Sequence, residues 1–237
     1  MVFSEWRDDC EHYADRRGTH VINPFIIPKE WTVWRAMDWG FSRPFSVGWY
    51  AVDYDKRLYR IAEYYGCTGE PNVGVKENPD VVARKIREIE NTNINLKGRK
   101  IYGVADPAIF NDSGTESIST LMEREGVWFE RGDNERLAGK MQIHYRLRFD
   151  DGVPLLYVFN TCKNFIRTIP ALVYSERHVE DVNTDGEDHI YDELRYMCMM
   201  NPITPKPSAK EKIPDFDPLN MYQDKVSYDR YDFFRKM

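Results

Sequence analysis

The chain is poor in cysteine and does not cluster what it has. Cys10, Cys67, Cys162 and Cys198 are scattered over 237 residues with no C-x-x-C pair. That spacing argues against a disulfide-framed secreted scaffold and against structural zinc; the expectation is four reduced thiols in a cytosolic protein. No stretch approaches the roughly 18 consecutive apolar residues of a membrane span. No charged segment precedes an apolar one at the start, so no signal peptide is predicted. Positive charge is not in excess: 33 Lys and Arg against 39 Asp and Glu give a net charge of −6. This excludes a basic coat over the whole surface but leaves room for a local cationic groove on an acidic body. No internal repeat is visible.

What is present is a substantial core. Apolar residues make up 42% of the chain and aromatics 14%, enough for one large domain or two small ones. Residues 1–30 carry one weak helical patch and then "NPFIIPKE", whose two prolines read as a linker or an edge segment. Three strand-like runs follow at 31–39, 44–53 and 57–66, rich in Trp, Tyr, Val and Ile. Their short links favour an antiparallel meander. The pattern then changes. "ENPDVVARKIREIENTN" reads as a helix, with Asn78 at the N-cap and Pro79 at its first position. "GRKIYGVADPA" is a strand, "SGTESISTLMEREG" a helix closed by Gly126, and "VWFE" a strand. "DNERLAGKMQIHYRLRF" is a helix and "PLLYVFN" a strand. "CKNFIRTIPALVYS" is a helix interrupted by Pro170, and "EDHIYDELRYMCMM" the last helix. A meander followed by αβ units predicts an α/β fold: a mixed central sheet with helices on both faces. Residues 201–237 are rich in proline and charge with interspersed aromatics, and read as a flexible or partner-docking tail.

Three carboxylates fall at or near element ends. Asp38 closes the aromatic run "WTVWRAMD", where a strand interior disfavours Asp and a buried carboxylate is costly. Asp106 ends the fourth strand and Asp192 lies on the last helix. Singly, each has a plain reading. Asp38 before Trp39-Gly40 and Asp106 before Pro107 can open turns, and Asp192 can be a solvated helix residue. Jointly, three carboxylates without thiolates suit Mg²⁺ or Mn²⁺. A pair of such ions about 3.5–4 Å apart is a known arrangement for phosphodiester cleavage. His189 shares a helix face with Asp192 and is a candidate for metal ligation, proton transfer or phosphate contact. Asp188 and Arg195 flank the same face, Arg195 as a group able to orient a carboxylate. Ile190, Leu194 and Met197 form an adjacent apolar stripe.

The segments "RAMDWG", "YGVADPA" and "DHIYDELRY", in this order, resemble the three acidic motifs of the nuclease domain of phage terminase large subunits. The last is the most specific. The resemblance spans roughly residues 20–200, and residues 1–30 resemble the joint between that family's ATPase and nuclease parts. It implies an RNase H-like fold for residues 31–200. It also implies a metal-dependent endonuclease that cuts concatemeric double-stranded viral DNA during packaging, in the host cytoplasm. Asp38, Asp106 and Asp192 carry over as the metal-binding catalytic carboxylates with Mg²⁺ or Mn²⁺, and His189 as the histidine that precedes the third motif. Asp188 matches a position that is often acidic. The implied partners are DNA, the terminase small subunit and the portal protein, with no membrane. Complete large subunits carry an ATPase in the same polypeptide, yet no G-x-x-x-x-G-K-[ST] loop occurs here. No ATP hydrolysis is therefore expected of this chain, which reads as an isolated nuclease domain or a split gene product.

A substrate with one charge per phosphate needs cations beside the acids. Arg43, Arg131, Arg136 and Lys140 are the first candidates, followed by Arg146, Arg148, Lys163 and Arg167. "VYSERHVEDVNTDGEDH" corresponds to a region that often forms a hairpin near the site in that family. Two alternatives stand beside this reading: another RNase H-like nuclease of the resolvase or integrase type, and a catalytically silent packaging-assembly module.

Overall fold

The computed structural model describes residues 1–112 and 116–204. Expectations for the tail from 205 onward, and for the first residues of the helix read from Ser113, lie outside the described residues. The chain divides into two units, Met1–Ile203 and Thr204–Met237; the sheet and its helices all belong to the first.

Seven strands form one sheet in the order β1-β7-β4-β3-β2-β5-β6. Its centre is the expected meander: β2 (Thr32–Asp38), β3 (Ser46–Val52) and β4 (Leu58–Tyr65), antiparallel throughout. Six of the seven β3 residues are buried, because β3 is central and covered on both faces. β5 (Ile101–Ala105) adds parallel to β2, and β7 (Leu156–Phe159) adds parallel to β4. Parallel pairing requires a crossover, and the helices supply it. The chain therefore has the mixed α/β sheet of an RNase H-like fold.

Two strands differ from the sequence reading. β6 is only Glu130–Arg131, so "VWFE" pairs at its last residue rather than along its length. β1, Val21–Ile22, lies in residues 1–30, which read as a joint to another domain, and pairs parallel with β7 at the sheet edge. Val2, Phe3 and Trp6 of the same stretch are also buried. Two residues of strand are too short for any period to register, and the charges around Trp6 mask the apolar contacts it makes.

Helices cover both faces. α1 (Pro79–Thr92) starts at Asn78 and Pro79 as expected. Its Glu90 accepts hydrogen bonds from Arg35 of β2 and, at 3.0 Å, from Trp49 Nε1 of β3. α2 (Ile118–Arg124) is followed by Gly126 in left-handed backbone. α3 (Arg136–Leu147) and α4 (Lys163–Thr168) follow, the latter continuing as a 3₁₀ turn at Pro170. α5 (His189–Met200) meets Ser46 of β3 while α1 meets Trp49, so the two helices lie on opposite faces of the sheet. Its stripe of Ile190, Leu194 and Met197 is fully buried. Glu193 projects into the sheet, accepting from Ser46 Oγ at 2.9 Å and Arg60 Nη1 at 2.6 Å. A Cβ at Gly48 would overlap both Arg60 and Glu193, so glycine is what lets this pair sit against β3. These contacts fix the height and rotation of α5 over the strand ends. Among the described residues no helix is long and apolar enough to cross a membrane.

Candidate active site

The first turn of α5 lies over the carboxyl ends of β2 and β5. Asp38 is the last residue of β2, and the Asp106 amide donates to the Met37 carbonyl at 3.0 Å. The register Met37↔Ala105 therefore continues to place Asp106 beside Asp38. Ligands of open α/β sheets gather at such strand ends. Asp106 is half-buried and caps a 3₁₀ turn, its Oδ1 accepting from Ala108 N at 2.9 Å. Asp192, in the first turn of α5, faces the same end. The positive end of the helix dipole favours carboxylates there.

The electrostatics show that these acids feel one another. Asp38, 7% exposed, is pushed well above the usual carboxylate range, first by burial and then by the charges of Asp192 and Asp106, with Arg195 opposing. Asp188, also buried, rises to about 7, through burial and then Asp192. His189 Nδ1 lies 3.1 Å from Asp38 Oδ2. Burial pulls His189 below its ordinary pKa. Burial is the first cause of both shifts, raising the carboxylate and lowering the imidazole.

Asp192 is engaged by two arginines. Arg195 Nε donates to Asp192 Oδ1 at 3.1 Å, and its Nη2 to Asn134 Oδ1 at 3.0 Å. Arg195 is fully buried, and a Cβ at Gly139 of α3 would collide with its stem. Arg136 bridges Asp181 (2.6 Å) and Asp192 (3.0 Å).

The donor set of Asp38, Asp106 and Asp192 is all oxygen and suits Mg²⁺ or Mn²⁺. Burial, and after it the neighbouring carboxylates, disfavour the charged form of Asp38, an effect a cation would oppose. In chemistry, then, the residues fit a divalent cation. In spacing, no group of three or more His, Cys, Asp or Glu among the described residues is gathered tightly enough to hold an ion. Asp192 faces arginines instead, and a cation would have to draw it toward Asp38 and Asp106.

The expected phosphate contacts divide. Arg43 and Arg131 are exposed beside the acid end; Arg43 donates to the Asp185 carbonyl at 3.4 Å, and Arg131 stacks over Phe110. Arg136 is spent on carboxylates. Lys140 and Arg146 require correction: both point inward. Lys140 is 7% exposed and donates to the Glu180 carbonyl, and Arg146 is fully buried and donates to the carbonyls of Lys56 (2.8 Å) and Asn201. Helix periodicity places basic residues on a face without revealing that the face is covered. Arg148 pairs with Asp150, Arg167 pairs doubly with Glu187, and Lys163 is exposed. The segment before α5 does turn back on itself, with Tyr174 and Val182 bridged antiparallel.

Three residues near the site escape a reading of the sequence. Glu193 seats α5, but beside Asp192 it reads as one more helix carboxylate. Tyr196 is buried, its phenol pushed up by burial and then by Asp106 and Asp38. Asn72 accepts from His189 Nε2 at 3.0 Å; its only signal is the turn chemistry of "GEPNVG".

No family model and no curated protein matches this chain. Solved structures do. The nuclease domain of the phage P22 large terminase superposes with a TM-score of 0.60 at 17% identity, covering 84% of this chain and 94% of that domain. The large terminase of a thermophilic bacteriophage matches in one crystal form with a TM-score of 0.59 at 17% identity, and in complex with ATP-gamma-S with 0.63 at 16%. Each match covers 83% of this chain, which spans less than half of those terminases, 43% and 44%. The fold is thus that of a terminase nuclease domain.

Proposed function

We propose that this domain is a metal-dependent endonuclease that cuts double-stranded viral DNA during genome packaging, as the nuclease part of a terminase large subunit. The observation that supports the reading is geometric: Asp38 and Asp106 stand side by side at the ends of neighbouring parallel strands, and the first turn of α5 sets Asp192 at the same end of the sheet. The likeness to terminase nuclease domains supports it at the level of fold.

Asp38, Asp106 and Asp192 would hold a pair of Mg²⁺ or Mn²⁺ ions, which when bound activate a water and stabilise the leaving oxygen of an in-line displacement. The chain's own residues do the rest. Asp38 and Asp106 come from neighbouring strands, so their separation is set by the sheet. Arg195, locked against Asn134, orients Asp192. His189 stands within hydrogen-bonding distance of Asp38, its Nδ1 3.1 Å from Oδ2. Arg43 and Arg131 flank the acid end as exposed cations for the phosphates. No base-reading module is recognisable, so cleavage with weak sequence preference is expected. For the whole protein, a packaging ATPase in the same polypeptide, a small subunit and a portal are the proposed partners.

The test is cleavage of supercoiled plasmid with Mg²⁺ or Mn²⁺ by the wild type and by Asp38→Asn, Asp106→Asn and Asp192→Asn, each checked for folding by circular dichroism. Metal-dependent nicking that all three lose supports the reading. Full activity in all three removes the site. No cleavage in any protein, with DNA still bound, points to the silent assembly module.

A further inference from the structure

Asn72 comes to the acid end on the loop of residues 66–76, which follows β4. Its backbone is left-handed, with φ at 62°, a conformation that Asn adopts more readily than most residues. The loop that carries it is tightly pinned. Cys67 and Gly74 are bridged antiparallel, Val75 N donates to Gly66 O at 3.1 Å, and Gly66 N donates to Phe45 O at 2.9 Å. Gly74 N donates to Ser42 O at 2.9 Å, and a Cβ at Gly74 would overlap the Arg43 carbonyl. The loop therefore rests directly on the turn that follows Asp38.

The Asn72 amide has one consistent orientation. Nδ2 donates to the Asp185 carbonyl at 3.2 Å. Rotated by half a turn, the amide would set oxygen against that carbonyl oxygen. The amide oxygen thus faces His189 Nε2, at 3.0 Å. Such an oxygen only accepts, so Nε2 must carry hydrogen. That leaves Nδ1 as the nitrogen offered to Asp38 Oδ2, at 3.1 Å.

We infer that Asn72 is a positioning residue that fixes His189 as its Nε2–H form and aims Nδ1 at Asp38. The hydrogen-bond assignment stands on geometry alone; its catalytic consequence rests on the proposed nuclease function. Partners of this kind, standing behind a functional imidazole, set its tautomer and ring orientation.

The experiment uses the full chain with ¹⁵N-labelled histidine and reads the His189 tautomer from long-range ¹H–¹⁵N correlations, alongside plasmid cleavage kinetics. Asn72→Gly removes the amide but keeps the left-handed backbone unstrained. Asn72→Asp keeps an acceptor oxygen. The wild type and Asn72→Asp are expected to show Nε2 protonated, and Asn72→Gly a measurable Nδ1–H fraction. In Asn72→Gly, kcat is expected to fall about 10-fold with KM within about twofold, and Asn72→Asp to recover most of the loss. Nε2 remaining fully protonated in Asn72→Gly overturns the inference, whether or not kcat falls. If the tautomer moves as expected while no protein cleaves DNA, the positioning role stands and the nuclease reading fails.

Discussion

Asp192 and Glu193 are neighbours in one turn of α5, both facing arginine, and their surroundings could hardly differ more. Glu193 is fully buried against the sheet: Arg60 and Ser46 donate to it, and Gly48 makes the room. Asp192 is half-buried at the open end of the sheet, tied to Arg195 and Arg136 while its charge bears on Asp38 and Asp188. One carboxylate is held inside the fold by donors from two strands; the other stands among further acids at the open end. Buried ion pairs hold a structure in register. Crowded acids with perturbed pKa values mark places where chemistry is done.

Two substitutions test that contrast most sharply. Asp192→Asn is expected to lower cleavage about 100-fold or more while leaving the unfolding midpoint in urea nearly unchanged. Glu193→Ala leaves the buried Arg60 with Glu63, 3.6 Å away, as its remaining carboxylate, and is expected to cost about 3–5 kcal/mol in the same measurement. If Glu193→Ala folds with wild-type stability, this pair does not seat α5. Gly48→Ala is the milder version, at about 1–3 kcal/mol, because the added methyl meets Arg60 and Glu193 together.

The pH dependence separates two ends of the molecule. Asp188 has a folded pKa of about 7, above its ordinary 3.8, so the folded state binds the extra proton. Its contribution is present below about pH 4 and is lost as pH rises through 7. His20 runs the other way. Packed against Trp6 and Phe149, it is lowered by burial from 6.5 to about 4. Its contribution is present above pH 6.5 and is lost as pH falls toward 4, by up to about 3 kcal/mol. The two windows overlap between about pH 4 and 6.5 with opposite slopes, so thermal melts of the metal-free protein should change little there. Asp188→Asn should uncover the loss of stability on acidification that His20 causes, and His20→Gln the loss on alkalinisation that Asp188 causes. The smallest expected effect is at Arg136. Arg136→Gln should change stability by less than about 1 kcal/mol and tighten Mn²⁺ binding by less than about tenfold, measured by calorimetry, because it frees Asp192.

Much of the frame is legible in the order of residues. The meander, α1 from Asn78 and Pro79, and the buried stripe of α5 rest on period and capping, which are local. β1 does not, since Val21 and Ile22 gain meaning only beside Val158 and Phe159. Lys140 reads as a free cation because its neighbours are basic; only the Glu180 carbonyl across from it shows otherwise. Asn72 looks like any turn asparagine until the loop that carries it meets α5.

By itself, then, the order of residues determined which elements form, and that an acid would stand at the end of an apolar strand and in the first turn of an amphipathic helix. Tertiary structure alone decided which charges have partners: Glu193 with Arg60, Asp192 with Arg136, His189 with Asn72. Hydrogen bonds and close ion pairs act over a few ångströms through space. Periodicity says which face a side chain is on, and only the packed chain says what waits across from it.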